Sequence, residues 1–402
     1  MDKEKELYDM KHPERKKAKS FDSPLRCRAF TDAVFGGKNG CKYSDLKKIE
    51  TGFYPEKPEY NLYFGDLHGH SNLSDGRPDV DSYYLNLRDT AGLDFAALTD
   101  HDHGGVGKDE LWCGSPSKWD KIKEKAKEYY MPNKFTTLLA YERDSYPYYD
   151  NLIVYYNSHD GEMIRGERGG EFTEKELRAA LGREDIILIP HDTYCITAGA
   201  ALSRLDLSLL TPMIEMYSCG DSAEYFGNPL NTFGQVRGGF WQDALKRGAK
   251  MGCIGAGDNH AGSGGRVLEN EKYPLCYQGL TGVYAKENTL EGIFEAIKAK
   301  RTYAFMGEPF AVDFRINGHY MGEEITLSAE DDRCIFYEVN ASSPVKSATV
   351  VKNNVDVIRF VGQNKNCMFD YVPENETDYY YLRVELEDGR TAWTSPIWVK
   401  RG

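Results

Sequence analysis

The chain has 402 residues, of which 28% are charged, and a formal net charge of −13. That acidity argues against a nucleic-acid polymer as partner, because a phosphate backbone calls for clustered Lys and Arg. No run of about 18 apolar residues occurs, so no membrane-spanning helix is expected, and the length leaves room for two domains with a sizeable core.

Residues 1–58 are polar and irregular, with basic patches in KKAK and KNGCKYSDLKK, and are expected to form a solvated N-terminal arm. The opening MDKEKELYDMKHPERKKAKS lacks the apolar centre of a signal peptide. Nine cysteines without CxxC spacing read as reduced thiols, with Cys195 and Cys219 serving packing; a soluble cytoplasmic protein is the expectation.

From 59 to 307, apolar runs alternate with helical stretches such as KWDKIKEKAKEYY, TEKELRAALG, FWQDALKRGAK and TLEGIFEAIKAK. This alternation predicts an α/β barrel. NLYFGDLHGH, DFAALTDHD, FTTLLAYERD, DIILIPHD and KMGCIGAGDNH each end an apolar run in His, Asp or Glu. Runs of this form read as buried parallel strands, whose C-terminal ends build the active site of an α/β barrel. After MGEP the texture changes to short alternating strands, FAVDFRI through TAWTSPIWV, and predicts a small all-β sandwich over 308–402. In YYYLRVEL, Tyr380, Leu382, Val384 and Leu386 should share the core face, while Tyr379, Tyr381, Arg383 and Glu385 face water or the barrel.

Side chains at i and i+2 of a strand point the same way, so His68 and His70 can grip one ion, and Asp258 with His260 repeats that spacing. Imidazole and carboxylate together suit zinc, manganese or iron. Asp100 and Asp102, flanking His101, are expected to orient imidazoles or to cap the turn. His103, Arg143 and Arg266 are candidates for protonating a leaving group or holding an anionic substrate.

These segments, in this order, resemble the PHP (polymerase and histidinol phosphatase) superfamily of metal-dependent hydrolases. DLHGHSNLSDG is similar to its first motif and LTDHD to its second, with AYE, IPHD and GDNH matching the later ones, and the likeness spans roughly 60–400. GLTGVYAKENTLEGIFEAIKAKRTYAFMG is similar to the end of the catalytic domain in a branch that includes carbamate and ester hydrolases.

The resemblance implies a distorted seven-stranded barrel with one to three divalent ions. It assigns His68, His70, Asp258 and a bridging Glu142 to the first, Asp75, His101 and His260 to a peripheral one, and Glu142 with His191 to the second. The family usually adds a histidine after the bridging Glu; SYPYYDNLIVYYN has none, leaving Tyr149 or Asp150 as the substitute. The expected activity is hydrolysis by metal-activated water of a small-molecule substrate, foremost a phosphoester. A carbamate, ester or amide is the alternative, and a non-catalytic binding or scaffold module the reading from another class.

Overall fold

The structure, a computed structural model, describes residues 60–402 apart from 104–111, 145–150, 165–172, 196–200, 219–220, 232–234, 266, 269–275 and 329–330. The N-terminal arm, Tyr149, Asp150, Cys219 and Arg266 therefore lie outside the described residues.

Strands β1 (Asn61–Asp66), β2 (Phe95–Leu98) and β3 (Thr136–Asp144) are parallel neighbours in a large sheet. β4 (Asn151–Tyr156) enters antiparallel between β3 and β5 (Ile186–His191), so β5 runs in the same direction as β3. Every residue of β2 and β5 is buried, which is why these strands read as unbroken apolar runs and not as alternating ones. β6 (Met213–Tyr217) and β7 (Gly252–Gly255) form a separate parallel pair.

Four helices occupy the stretches expected to be helical: α2 (Pro116–Tyr129), α3 (Glu174–Leu181), α4 (Trp241–Lys246) and α5 (Leu290–Lys298); α1 (Val80–Leu85) precedes them. Local signals start them. Asp79 caps Ser82 N in α1, Pro116 opens α2, and Thr173 and Glu176 close a reciprocal capping box on α3. In α5, Thr289 caps Gly292 N, and Leu290, Ile293, Phe294 and Ile297 form the buried stripe.

Beyond the two-residue strands β8 (Val267–Leu268) and β9 (Cys276–Tyr277), β10 (Gly279–Ala285) pairs with β1 on one side and β11 (Thr302–Met306) on the other. The hydrogen-bonded ladder thus runs β11–β10–β1–β2–β3–β4–β5, while β6–β7 stands outside it. Side chains supply the remaining links. His191 at the end of β5 bonds Glu215 of β6, and Thr281 of β10 bonds both backbone groups of Gly255 in β7. Two glycines make this approach feasible: a Cβ on Gly279 would fall 2.2 Å from Ala256 O, and one on Gly255 would fall 2.5 Å from Leu280 O.

The fold is mixed α/β, with a large sheet and a C-terminal sheet region. The ladder continues from β11 through β20 (Thr391–Thr394) into β19 (Thr377–Leu386), β21 (Ile397–Arg401) and β14 (Glu324–Leu327), with β16 (Val345–Lys352) attached to β19 and β17 (Val355–Val361) to β16. A second sheet holds β13 (His319–Tyr320), β12 (Ala311–Ile316), β15 (Arg333–Asn340) and β18 (Lys365–Asp370). The change of texture after 307 thus does not interrupt the sheet, and one apolar core contains Phe64 and Trp241 together with Tyr381 and Trp393. In β19, Tyr380, Leu382, Val384 and Leu386 are buried; on the other face Tyr381 and Arg383 bond Glu224 in the segment after β6. Among the described residues no helix is long and apolar enough to cross a membrane.

Candidate metal centre

β1 delivers His68 and His70, and the backbone beyond it is held against the 258–260 segment. Gly69 bridges Asn259, and His70 N donates to Asn259 O at 3.0 Å. Asp66, fully buried, fastens the same two segments: its Oδ1 accepts from Gly257 N at 2.9 Å and His68 N at 3.2 Å. Burial outweighs those hydrogen bonds and pushes its carboxyl up to about 7. Asp258 has φ 44°, left-handed backbone that costs a non-glycine residue energy and that Asp tolerates better than most.

Four ligand-type atoms converge there. His68 Nε2 lies 3.2 Å from His70 Nε2, 3.1 Å from Glu142 Oε2 and 3.3 Å from Asp258 Oδ1. His70 Nε2 lies 3.2 Å from Glu142 Oε2 and 3.1 Å from Asp258 Oδ1. Ligands about 2.0–2.1 Å from a tetrahedral ion are about 3.3–3.4 Å apart, so the spacing fits a first-row divalent cation.

The electrostatics agree. Burial alone would keep His68 neutral, yet Glu215, Glu142 and Asp258 outweigh it and lift the imidazole well above its ordinary value. Burial is likewise overcome at His70, which Asp258 and Glu142 raise to about 9. Glu142 and Asp258 are held well below the usual carboxylate range, against burial, by the surrounding imidazoles. Protons here balance buried carboxylates; a divalent cation at the same point balances them with denser charge. Glu142 Oε1 and His70 Nδ1, both buried, have no hydrogen-bond partner among the described residues.

Two further groups adjoin. Asp75 Oδ1 is 3.2 Å from His260 Nε2 and 4.0 Å from His101 Nε2, and the His260 ring stacks on that of His70 at 4.0 Å. His101 Nδ1 lies 3.4 Å from Glu142 Oε2, bringing this group up to the first. His191 Nε2 faces Asp192 Oδ2 at 3.2 Å and Asp258 Oδ2 at 3.5 Å, so the carboxylates paired with this nitrogen are those and not Glu142. Its Nδ1 bonds Glu215, a residue that sequence reasoning missed. The signal was a lone acid inside the apolar run PMIEMY, with no second ligand type beside it.

Several expected roles are placed differently. Among the described residues Asp100 orients no imidazole: its oxygens take Ser71 N, Ser71 Oγ and Ser74 Oγ, fixing the loop after His70. Asp102 pairs with His103 Nδ1 at 2.9 Å and lies 3.7 Å from Arg143 Nη1. Arg143, 1% exposed, donates to Ile164 O; strand alternation sends it to the face opposite Glu142, so the structure does not bring it to the four-atom centre.

Comparison with known proteins adds the following. Residues 250–341, which include Asp258 and His260, match a family described as a protein of unknown function (DUF3604). An uncharacterized protein of Chlamydia pneumoniae is 24% identical over 84% of this chain, and one of Chlamydia muridarum is 22% identical over the same share. The chain spans 57% of the length of each of these relatives. A solved two-domain protein from Bacteroides vulgatus, described as containing a predicted PHP-like metal-dependent phosphoesterase, is similar at 14% identity. That match covers 85% of this chain and 96% of that one, with a TM-score of 0.43.

Proposed function

We propose that this chain is a metal-dependent hydrolase with a PHP-like site, acting on a small-molecule substrate in the cytoplasm and holding one to three divalent cations. The observation that carries the reading is the convergence of four ligand-type atoms: His68 Nε2 and His70 Nε2 lie 3.2 Å apart, and each lies 3.1–3.3 Å from both Glu142 Oε2 and Asp258 Oδ1. Cations held there supply Lewis acidity and lower the pKa of water. Asp75, His101 and His260 would hold a peripheral cation, and His191 with Asp258 would hold another, to which the resemblance adds Glu142 as a bridge. His103, whose Nδ1 lies 2.9 Å from Asp102 Oδ1, passes a proton from Nε2 to the leaving group.

A small phosphoester is the first substrate class. A carbamate, ester or amide is favoured in second place by one observation: Arg143, the fork suited to phosphate oxygens, is turned toward Asp102 and Ile164 O. The test is elemental analysis of protein expressed with zinc, manganese or iron, joined to a screen of phosphomonoesters, phosphodiesters, carboxyl esters and carbamates. At least one ion per chain and a chelator-sensitive activity are expected. Less than one ion per chain, with any turnover indifferent to chelators, would overturn the reading.

A further inference from the structure

Glu215 stands in the middle of β6, 3% exposed, with Met213, Ile214, Met216 and Tyr217 for strand neighbours, all buried. A carboxylate placed there loses its hydration and persists only with strong partners. It has two, one per oxygen. Oε2 lies 2.9 Å from His68 Nδ1 and Oε1 lies 3.0 Å from His191 Nδ1. The two histidines come from different strand ends, after β1 and at the end of β5, and their rings meet edge to face at 4.7 Å. β5 and β6 share no ladder bonds among the described residues, so this carboxylate is a side-chain link between β6 and the histidine at the end of β5.

An ionised carboxylate accepts hydrogen bonds and donates none, so each Nδ1 must carry a hydrogen. A neutral imidazole protonated at Nδ1 presents its lone pair at Nε2. Those Nε2 atoms are the ones that face the centre: His68 toward Glu142 and Asp258, His191 toward Asp258. We propose that Glu215 is a positioning residue which sets the tautomer and ring orientation of His68 and His191 at once, so that both histidines offer Nε2 to cations on either side of Asp258. A cation bound instead between Glu215 and the two Nδ1 atoms would force hydrogens onto Nε2, removing His68 as a ligand from the four-atom centre and His191 from the place beside Asp258. The inference rests on the metal-dependent reading above.

The test uses the full chain, with zinc as the probe. In the Glu215→Gln variant, one amide oxygen can accept from one imidazole, while the amide nitrogen donates to the other. That second ring must then accept at Nδ1 and carry its hydrogen on Nε2, where it cannot ligate. Zinc affinity, read by competition with a chromogenic chelator, should fall about 10–100-fold, the usual effect of removing such a partner. The melting temperature of the chelated protein should stay close to wild type, since the replacement is isosteric. A merely structural role would move the melting temperature and spare the affinity. Nitrogen-15 spectra of zinc-loaded wild type provide a measurement that needs no variant: His68 and His191 should show protonated Nδ1 and ligated Nε2. Ligation through Nδ1, or unchanged zinc affinity in Glu215→Gln, overturns the inference alone; wild type that takes up no cation overturns the metal-dependent reading instead.

Discussion

Glu224 is the clearest place to measure how firmly the C-terminal sheets hold the site-bearing part of the chain. Its carboxylate, 1% exposed, takes Tyr381 Oη at 2.7 Å and Arg383 Nη1 at 2.6 Å on Oε1, and Trp393 Nε1 at 2.7 Å on Oε2. Glu224→Ala strips all three donors of their acceptor. Arg383 keeps Asp356, and Tyr381 keeps the bond it receives from Gln242, but the Trp393 indole loses the acceptor that held it. A buried donor left unmade costs about 1–3 kcal/mol, and removing one partner of a buried ion pair costs about 3–5 kcal/mol. The terms overlap within one network, so a loss of about 3–5 kcal/mol is expected, against about 1–2 kcal/mol for Glu224→Gln, which retains one acceptor.

Burial outweighs Arg383 and the hydrogen bonds and holds the Glu224 carboxyl above its usual value of 4.5. The folded chain therefore binds this proton more tightly than the unfolded one, and the group's contribution declines as pH rises from 4.5 through the folded value. Glu224→Gln lacks that slope, so its deficit against wild type should narrow over the same interval. Urea denaturation of both variants across pH is the assay. A Glu224→Ala loss below about 1 kcal/mol would refute the claim that this carboxylate anchors β19 and β20 to the segment after β6.

His70→Ala and Asp258→Ala should each abolish turnover and lower bound metal while leaving circular dichroism unchanged; either variant with normal activity and metal content shows that residue is no ligand. Gly279→Ala should destabilise by about 1–3 kcal/mol or more, because its Cβ would meet backbone atoms of Ala256 and Tyr217 at 2.2–2.8 Å. Gly182→Ala is the control: it has φ −81° and no atom nearer than 3.5 Å, and should cost nothing measurable in the same thermal melts. Cys334 and Cys367 present sulfurs 2.9 Å apart, yet the register pairs Cys334 with Phe369 and Cys367 with Phe336, a diagonal placement. Diagonal Cβ atoms lie somewhat less than about 7–8 Å apart, still wider than the roughly 3.5–4.5 Å a disulfide requires, so alkylation of the unreduced, unfolded protein followed by peptide mapping should label both Cys334 and Cys367; a peptide in which the two are joined would refute this.

What the sequence determined by itself was whatever depends on neighbours along the chain. His68 and His70 share a face because strand side chains alternate, and the helices begin where Asp79, Thr173 and Thr289 satisfy free backbone amides. The same alternation already put Arg143 on the face opposite Glu142, a consequence open to the sequence reading but not drawn from it.

Tertiary structure decided what depends on partners far apart in the chain. Glu215 is an ordinary strand acid until His68, 147 residues away, and His191, 24 away, close on its two oxygens. Asp100 sits beside His101 in sequence but spends its oxygens on Ser71 and Ser74, because the loop after β1 folds back over the end of β2. The sheet passes from β11 into β20 across nearly ninety residues, since an exposed β11 edge would leave its backbone groups unpaired. Local pattern specifies which face a side chain takes; which carboxylate meets which imidazole is settled only when burial has removed water as the competing partner.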